Sequence, residues 1–288
     1  MSFEHFVETA WSEHADHPGA VAERLEASLA LVDAPSRVAP FARLVTHVFG
    51  EHLGEWRRGS ILLEALRDRA RDDDAAAQAI ARGVATLAYA AGDATALDGL
   101  SEENRIAALS AASSVFVGRA LYSRALDTYA QALGLAATGL PDGSPALRAL
   151  AVGGNNLAAT LESKPDRNAD ETRGMVDAAR ASLVYWKRAG TWLEEERAEY
   201  LLARSFLSAR QPGEAAVHAS RCVALCERHD APAFERFFGC VALALAERDL
   251  GDAAAFESTR ERARALATSL AADERDACAS ALEEIGDR

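Results

Sequence analysis

Lysine is nearly absent from this chain of 288 residues: Lys164 and Lys187 stand against 29 arginines. Proline (8), methionine (2) and cysteine (4) are scarce, and aromatics make up only 7%. So few aromatic and β-branched side chains argue against a sheet protein, because strands favour both. No apolar run approaches the roughly 18 residues of a spanning helix, so no membrane span is expected. The first residues, Met1-Ser-Phe-Glu-His, have no basic flank and no apolar stretch behind them. No secretory signal is therefore expected. Cations are also in deficit, 31 against 44 acids for a net charge of −13. That counts against nonspecific nucleic-acid binding, which needs cations to displace phosphate counterions. Cys222, Cys226, Cys240 and Cys278 all lie in the last quarter, and the first two are four apart. That is not the C-x-x-C spacing of a redox or zinc motif. Reduced thiols acting as small core residues are expected, in a cytoplasmic protein.

What is abundant is alanine, 65 residues and nearly half of the 49% hydrophobic fraction. A chain this apolar can collapse and is not disordered. Helical periodicity runs almost throughout, broken by short Gly/Pro/Asp punctuation. The pattern predicts helices over 3–14, 18–32, 36–49, 56–70, 75–91, 94–100, 105–117 and 121–135. Further helices are expected over 146–161, 169–188, 192–209, 214–229, 232–249, 253–270 and 273–285. Asp72-Asp73-Asp74 is an acidic helix start, favourable at the positive end of the helix dipole. Ser101-Glu-Glu-Asn is a capping-type start. Helix, tight turn, helix, repeated, is what a chain of antiparallel helix pairs produces.

One phrase recurs. An apolar helix with a small residue at its middle leads through a turn to a small residue, then apolar or small residues at +4 and +7. Leu201-Leu-Ala203 leads through Gln211-Pro212 to Ala215, Ala219 and Cys222. The post-turn anchors Ala125, Ala178, Ala215 and Ala254 are 53, 37 and 39 apart, the long first gap holding an insertion at 162–170. Small residues at helix crossings let the axes approach to roughly 8–10 Å. A period in the thirties with two helices per unit resembles the tetratricopeptide repeat (TPR). The Ala125-Leu-Asp-Thr-Tyr-Ala-Gln-Ala-Leu133 run is similar to that family's second helix, and Leu250-Gly251-Asp252 to its turn. Asn155-Asn156-Leu157-Ala158 looks like a first helix. The resemblance covers about residues 40–270, although the family's early tryptophan and its closing proline are mostly missing.

The resemblance implies an all-α fold: a right-handed superhelix of antiparallel helix pairs, a TPR-like α-solenoid. Residues 1–35 are expected as an N-terminal helical cap, 36–270 as repeats and 271–288 as a C-terminal capping helix. It further implies a concave face, lined by each pair's first helix, that binds a peptide or partner protein without chemistry. Bacterial relatives of this shape include peptide-sensing regulators, secretion chaperones and assembly scaffolds. On that face Asn155 and Asn156 would hold a peptide backbone, since an amide offers both donor and acceptor. Arg197, Tyr200, Arg204 and Arg236 would follow on successive turns, the arginines meeting acidic groups. A local cap for the asparagines and a solvated, salt-bridged surface for the arginines are the plainer readings. The family's carboxylate clamp needs inward lysines, and neither lysine here is placed for it. A regulator sensing a small ligand or signalling peptide, and an enzyme with an unrecognised helical-bundle site, are the alternatives.

No P-loop, G-x-G-x-x-G, G-x-S-x-G or H-E-x-x-H occurs. No catalytic residue, cofactor or metal site is expected. His218, Cys222, Cys226 and His229 share one helical stripe, but a straight helix spreads them over about 16 Å, too far for one ion. The N-terminal acids and histidines, including Glu13 and His14, lack the paired Glu-x-x-His of a di-iron bundle and read as a solvated face. His47, Glu51 and His52 read the same way. Gly153-Gly154 is expected to permit close helix approach. Tyr185, Trp186, Trp192 and Tyr200 read as core rather than as a ligand cage.

Overall fold

The computed structural model describes residues 2–286, and among them are fourteen α-helices and no strand. The chain forms two compact units, Met1–Gly153 and Gly154–Arg288.

The first unit begins with α1 (Phe3–Glu13), α2 (Pro18–Ala27), α3 (Pro35–Val45), α4 (Trp56–Glu64) and α5 (Asp74–Ala90). Residues 3–87 share one core built on Phe6, Leu25, Phe41, Leu44, Phe49, Leu63 and Leu66. The expected helix over 36–49 divides: α3 ends at Val45 and a π-helix, Thr46–Leu53, takes over. Gly54 stops it in the left-handed region, at φ +68°. The expected short helix over 94–100 is a series of turns instead. Asp93 accepts from the backbone N–H and the hydroxyl of Thr95, at 2.9 and 2.8 Å, which offers the backbone a turn in place of a helical start.

From residue 101 the chain becomes regular. In the first unit, α6 (Glu102–Gly118) pairs with α7 (Tyr122–Ala136), and α8 (Pro145–Ser163) begins. The second unit continues with α9 (Ala169–Ala189), α10 (Trp192–Ser208), α11 (Pro212–Arg228), α12 (Ala233–Leu250), α13 (Ala253–Thr268) and α14 (Ala272–Glu284). Starts are capped as the sequence suggests. Asp73 accepts from Ala76 N at 2.8 Å, and Asn168–Glu171 and Thr191–Glu194 form reciprocal capping boxes. Each such cap is worth about 1 kcal/mol.

The turns themselves repeat. After α6, α10, α11 and α12 the chain closes with the same six-residue bond: Leu121 N to Phe116 O, Gln211 N to Phe206 O, Ala231 N to Cys226 O and Asp252 N to Glu247 O, all 2.9–3.0 Å. This closure needs one residue with positive φ. Only the last turn uses glycine, Gly251; the others hold Ala120, Arg210 and Asp230 at φ 56°, 57° and 48°. The same closure after α5, Asp93 N to Ala88 O at 3.0 Å, also uses a glycine, Gly92 at φ 97°, and the three turns without one are legible in the sequence only as breaks.

Small residues stand where helices meet. Ala125, Ala132, Ala203, Ala215, Ala219 and Ala242 are fully buried. A Cβ on Gly153 would lie 2.2 Å from Ser110 Oγ, so this glycine does permit the close approach expected of it. A Cβ on Gly118 would lie 2.6 Å from the Glu51 carbonyl oxygen, a backbone atom of the π-helix.

These two observations predict opposite effects two residues apart. Gly118→Ala should destabilise by about 1–3 kcal/mol through overpacking against fixed backbone. Ala120→Gly should stabilise by about 1 kcal/mol through relief of the left-handed conformation. Urea denaturation of both variants measures the signs.

Candidate functional site

The six residues singled out for peptide binding all fall in the second unit, on its first helices α8, α10 and α12. Asn155 is half-buried and Asn156 exposed; the Asn155 amide donates to Asn156 Oδ1 at 3.4 Å. Arg197, with 57% of its side chain exposed, pairs with Glu235 one repeat further on, 38 residues away. The Tyr200 ring meets Phe238 edge-on at 5.8 Å, across the same interval. Arg204 lies between two carboxylates, Glu162 at 3.2 Å and Glu284 at 2.6 Å, with its side chain 19% exposed. Arg236 pairs with Asp230 at the turn before its own helix.

The intervals are informative. Arg204 reaches back 42 residues to Glu162 on α8, Arg197 forward 38 to Glu235 on α12, and Arg248 forward 36 to the Glu284 carbonyl on α14. In the first unit Ser110 donates to the Ala149 carbonyl, 39 residues on, at 2.7 Å. Each bond links a helix to its counterpart one repeat away. The arginines thus act first as ties between successive repeats. Arg204 is already neutralised within the chain, whereas Asn156 and Arg197 remain accessible. Burial pushes the Tyr200 hydroxyl up to about 12, so it stays protonated at neutral pH.

The expected cysteine–histidine stripe of α11 divides among three partners. The His218 ring bonds Glu199 Oε2 at 2.6 Å, and the His229 ring stacks on Trp192 with centroids 4.8 Å apart. Cys222 donates to Glu196 Oε1 at 2.9 Å, with Cys226 in the same buried group. Glu196 is 1% exposed, and its Oε2 has no hydrogen-bond partner. Burial pushes its carboxyl up to about 7. Contact with Cys226, then burial and Glu196, push the Cys222 thiol up as well. The group is therefore a carboxyl that keeps its proton to near neutral pH, among thiols that stay protonated, rather than a reactive thiolate. Glu196 escaped notice because it sits within the run Glu194-Glu195-Glu196, which reads as solvated charge.

A second correction concerns the histidines of the first unit. His14, His47 and His52, expected on solvated faces, come together half-buried beside Trp11, with imidazole centroids 4.8–5.0 Å apart. Burial first, then His47 and His14, hold His52 below the ordinary histidine range. No sequence signal marks them, because five residues separate His47 from His52 and the change of helix type at Thr46 is seen only in the structure. On an α-helix that interval leaves side chains about 140° apart; the i→i+5 bonding of a π-helix brings them onto one face.

An open depression of about 530 Å³ is lined by Gly54, Glu55, Trp56, Arg57, Arg58 and Ala91. Its Arg58 is spent on Glu26 and Glu55. It offers no pair of converging acid and base groups.

No protein-family model matches the sequence, and no curated protein sequence matches it. Solved structures do match. BtubC (BKLC) from P. vanneervenii superposes with a TM-score of 0.51 and 14% identity, over 93% of this chain and 92% of that one. Kinesin light chain-like TPR-like repeats from Podosopora anserina superpose with a TM-score of 0.47 and 16% identity, over 75% of this chain and 96% of theirs. The fold is a TPR-like α-solenoid. Folds of this kind commonly mediate protein–protein interaction, and no described helix of this TPR-like chain is long and apolar enough to cross a membrane.

The buried Glu196 makes stability depend on pH. Its folded-state value of about 7 lies above the ordinary 4.5, so the native state holds a proton that the unfolded state releases. This contribution is complete below about pH 4.5 and is lost as pH rises through 7. Glu196→Gln should remove a loss of up to about 3 kcal/mol between those limits. Denaturant melts of both proteins at pH 5 and pH 8 give the difference directly.

Proposed function

We propose that the chain is a non-enzymatic scaffold that binds an extended peptide or partner segment along the first-helix face of its second unit. The observation that carries this reading is the one-repeat register of unlike groups on that face. Arg197 stands against Glu235 and Tyr200 against Phe238, with Phe234 and Phe238 in edge contact at 5.1 Å. Polar and half-buried aromatic groups thereby alternate along successive first helices. Exposed Asn156, with Asn155 beside it, offers amide donors and acceptors to a peptide backbone. Arg197 offers its guanidinium to an acidic side chain, and the Tyr200–Phe238 pair offers apolar surface. Arg204 serves this face by holding its helix in register with α8 and α14, and Arg236 by pairing with Asp230 at the turn before its own helix. Four free, buried cysteines support a reducing, cytoplasmic setting.

The test is affinity capture from native lysate with three proteins: wild type, an Asn156→Ala/Arg197→Ala variant, and an Arg221→Ala/Arg264→Ala variant. The last pair is exposed on the second helices α11 and α13. A partner held by the wild type and by the α11/α13 variant should be lost at least tenfold by the Asn156/Arg197 variant. Surface ion pairs of the Arg197 kind contribute only about 0–1 kcal/mol, so all three should unfold at similar denaturant concentrations. Equal capture by all three, or capture of nothing by the wild type, overturns the assignment.

A further inference from the structure

We propose that His14, His47 and His52 form a zinc-class metal site, binding one divalent ion through three imidazole nitrogens with the fourth position left to water. The site lies in the first unit and is independent of the binding face above.

Three observations converge on it. The first is distance. His47 Nε2 and His52 Nε2 are 3.1 Å apart, and the ligand nitrogens of all three residues lie within 4.8 Å of one another. Tetrahedral zinc with Zn–N bonds of about 2.0–2.1 Å places its ligand nitrogens about 3.3 Å apart. One pair already has that spacing, and the third ligand nitrogen lies within 4.8 Å of both.

The second is the partner of each opposite nitrogen. His14 Nδ1 lies 2.6 Å from the Trp11 carbonyl oxygen, and His47 Nδ1 lies 3.0 Å from Glu51 Oε1. A metal-binding imidazole characteristically donates its other N–H to a backbone carbonyl or a carboxylate, which sets the tautomer and raises its basicity. Both kinds of partner are present here, and the Glu51 contact leaves His47 Nε2 to face His52 Nε2.

The third is the backbone. His47 and His52 share one face because Thr46–Leu53 is a π-helix. Such segments are rare, and they recur at functional sites. His14 caps the C-terminal end of α1, so an ion here would join α1 to the π-helix across 33 residues of chain. Surrounding charges are already engaged: Arg119 donates to the His52 carbonyl at 2.7 Å, and Arg43 lies over the Trp11 ring at 5.0 Å. All three histidines are half-buried rather than sealed, which leaves an entry path and a free coordination position. Imidazole ligands select zinc, copper or nickel over magnesium and calcium. The Glu196–Cys222–Cys226 group is a poorer site, because all three residues are buried, with no entry path for an ion.

The test is calorimetric titration of the chelator-stripped full chain with zinc chloride, beside His52→Gln, Glu51→Gln and Cys222→Ser/Cys226→Ser. One equivalent should bind wild type and the cysteine variant alike, and raise the melting temperature of both. His52→Gln should abolish that binding. Glu51→Gln should weaken it about tenfold, the usual effect of removing a carboxylate behind a ligating histidine. Helical circular dichroism confirms that each variant is folded. Cobalt substitution of the wild type provides a reading independent of any variant: tetrahedral visible bands without thiolate charge transfer. Absence of stoichiometric zinc binding, binding unchanged in His52→Gln, or a thiolate band with cobalt overturns the proposal.

Discussion

Helices in this chain come together because alanine and glycine stand where they cross. Fully buried Ala125, Ala132, Ala203, Ala215, Ala219 and Ala242 bring little apolar surface, but they let backbones approach. Gly239 takes this further, since a Cβ there would lie 3.0 Å from Cys222 Sγ. Each crossing therefore buries less than a leucine-rich one, and stability must be gathered from many crossings. Larger side chains fill what remains: Phe116 in the first unit, Phe206 and Phe237 in the second, all fully buried.

Thin crossings also explain the polar ties between repeats. Where little apolar surface fixes the register, hydrogen bonds one repeat apart do so. Ser110 to Ala149, Arg204 to Glu162 and Arg197 to Glu235 all have this form. Such bonds add modest free energy but penalise slippage, because a shifted register would leave charges buried and unpaired. Glu196 is the extreme case. Its carboxyl is enclosed with two thiols, and burial raises it to about 7, so that below neutral pH it avoids the cost of a buried charge by holding its proton.

The first unit departs from this regularity where the backbone departs from α-helix. The π-helix turns His47 and His52 to one side, and Gly118 lets α6 come against its backbone. Helical periodicity across 36–49 was visible in the sequence, but the widened turn was not. Leu87 and Val115, from distant parts of the chain, pack against Gly50 within it, where a Cβ would lie 3.1 and 2.8 Å from them.

Composition, periodicity and capping pattern were sufficient to determine the all-α class, most helix boundaries from residue 101 onward and the TPR-like repeat. These are local properties, since a cap or an apolar stripe is legible within a few residues. The turns at Ala120, Arg210 and Asp230 were legible only as breaks, because their left-handed residues are not glycine. The candidate residues of the second unit lie on α8, α10 and α12. Tertiary structure alone decided that Arg204 is consumed by Glu162 and Glu284 while Arg197, paired with Glu235, keeps 57% of its side chain exposed, because pairing across 38 to 80 residues depends on helix register. It alone also brought His14 to His47 and His52, and Glu196 to Cys222. Side chains that are distant in sequence meet only when neighbouring helices are packed, and no periodicity within one helix records which face another helix will bring to it.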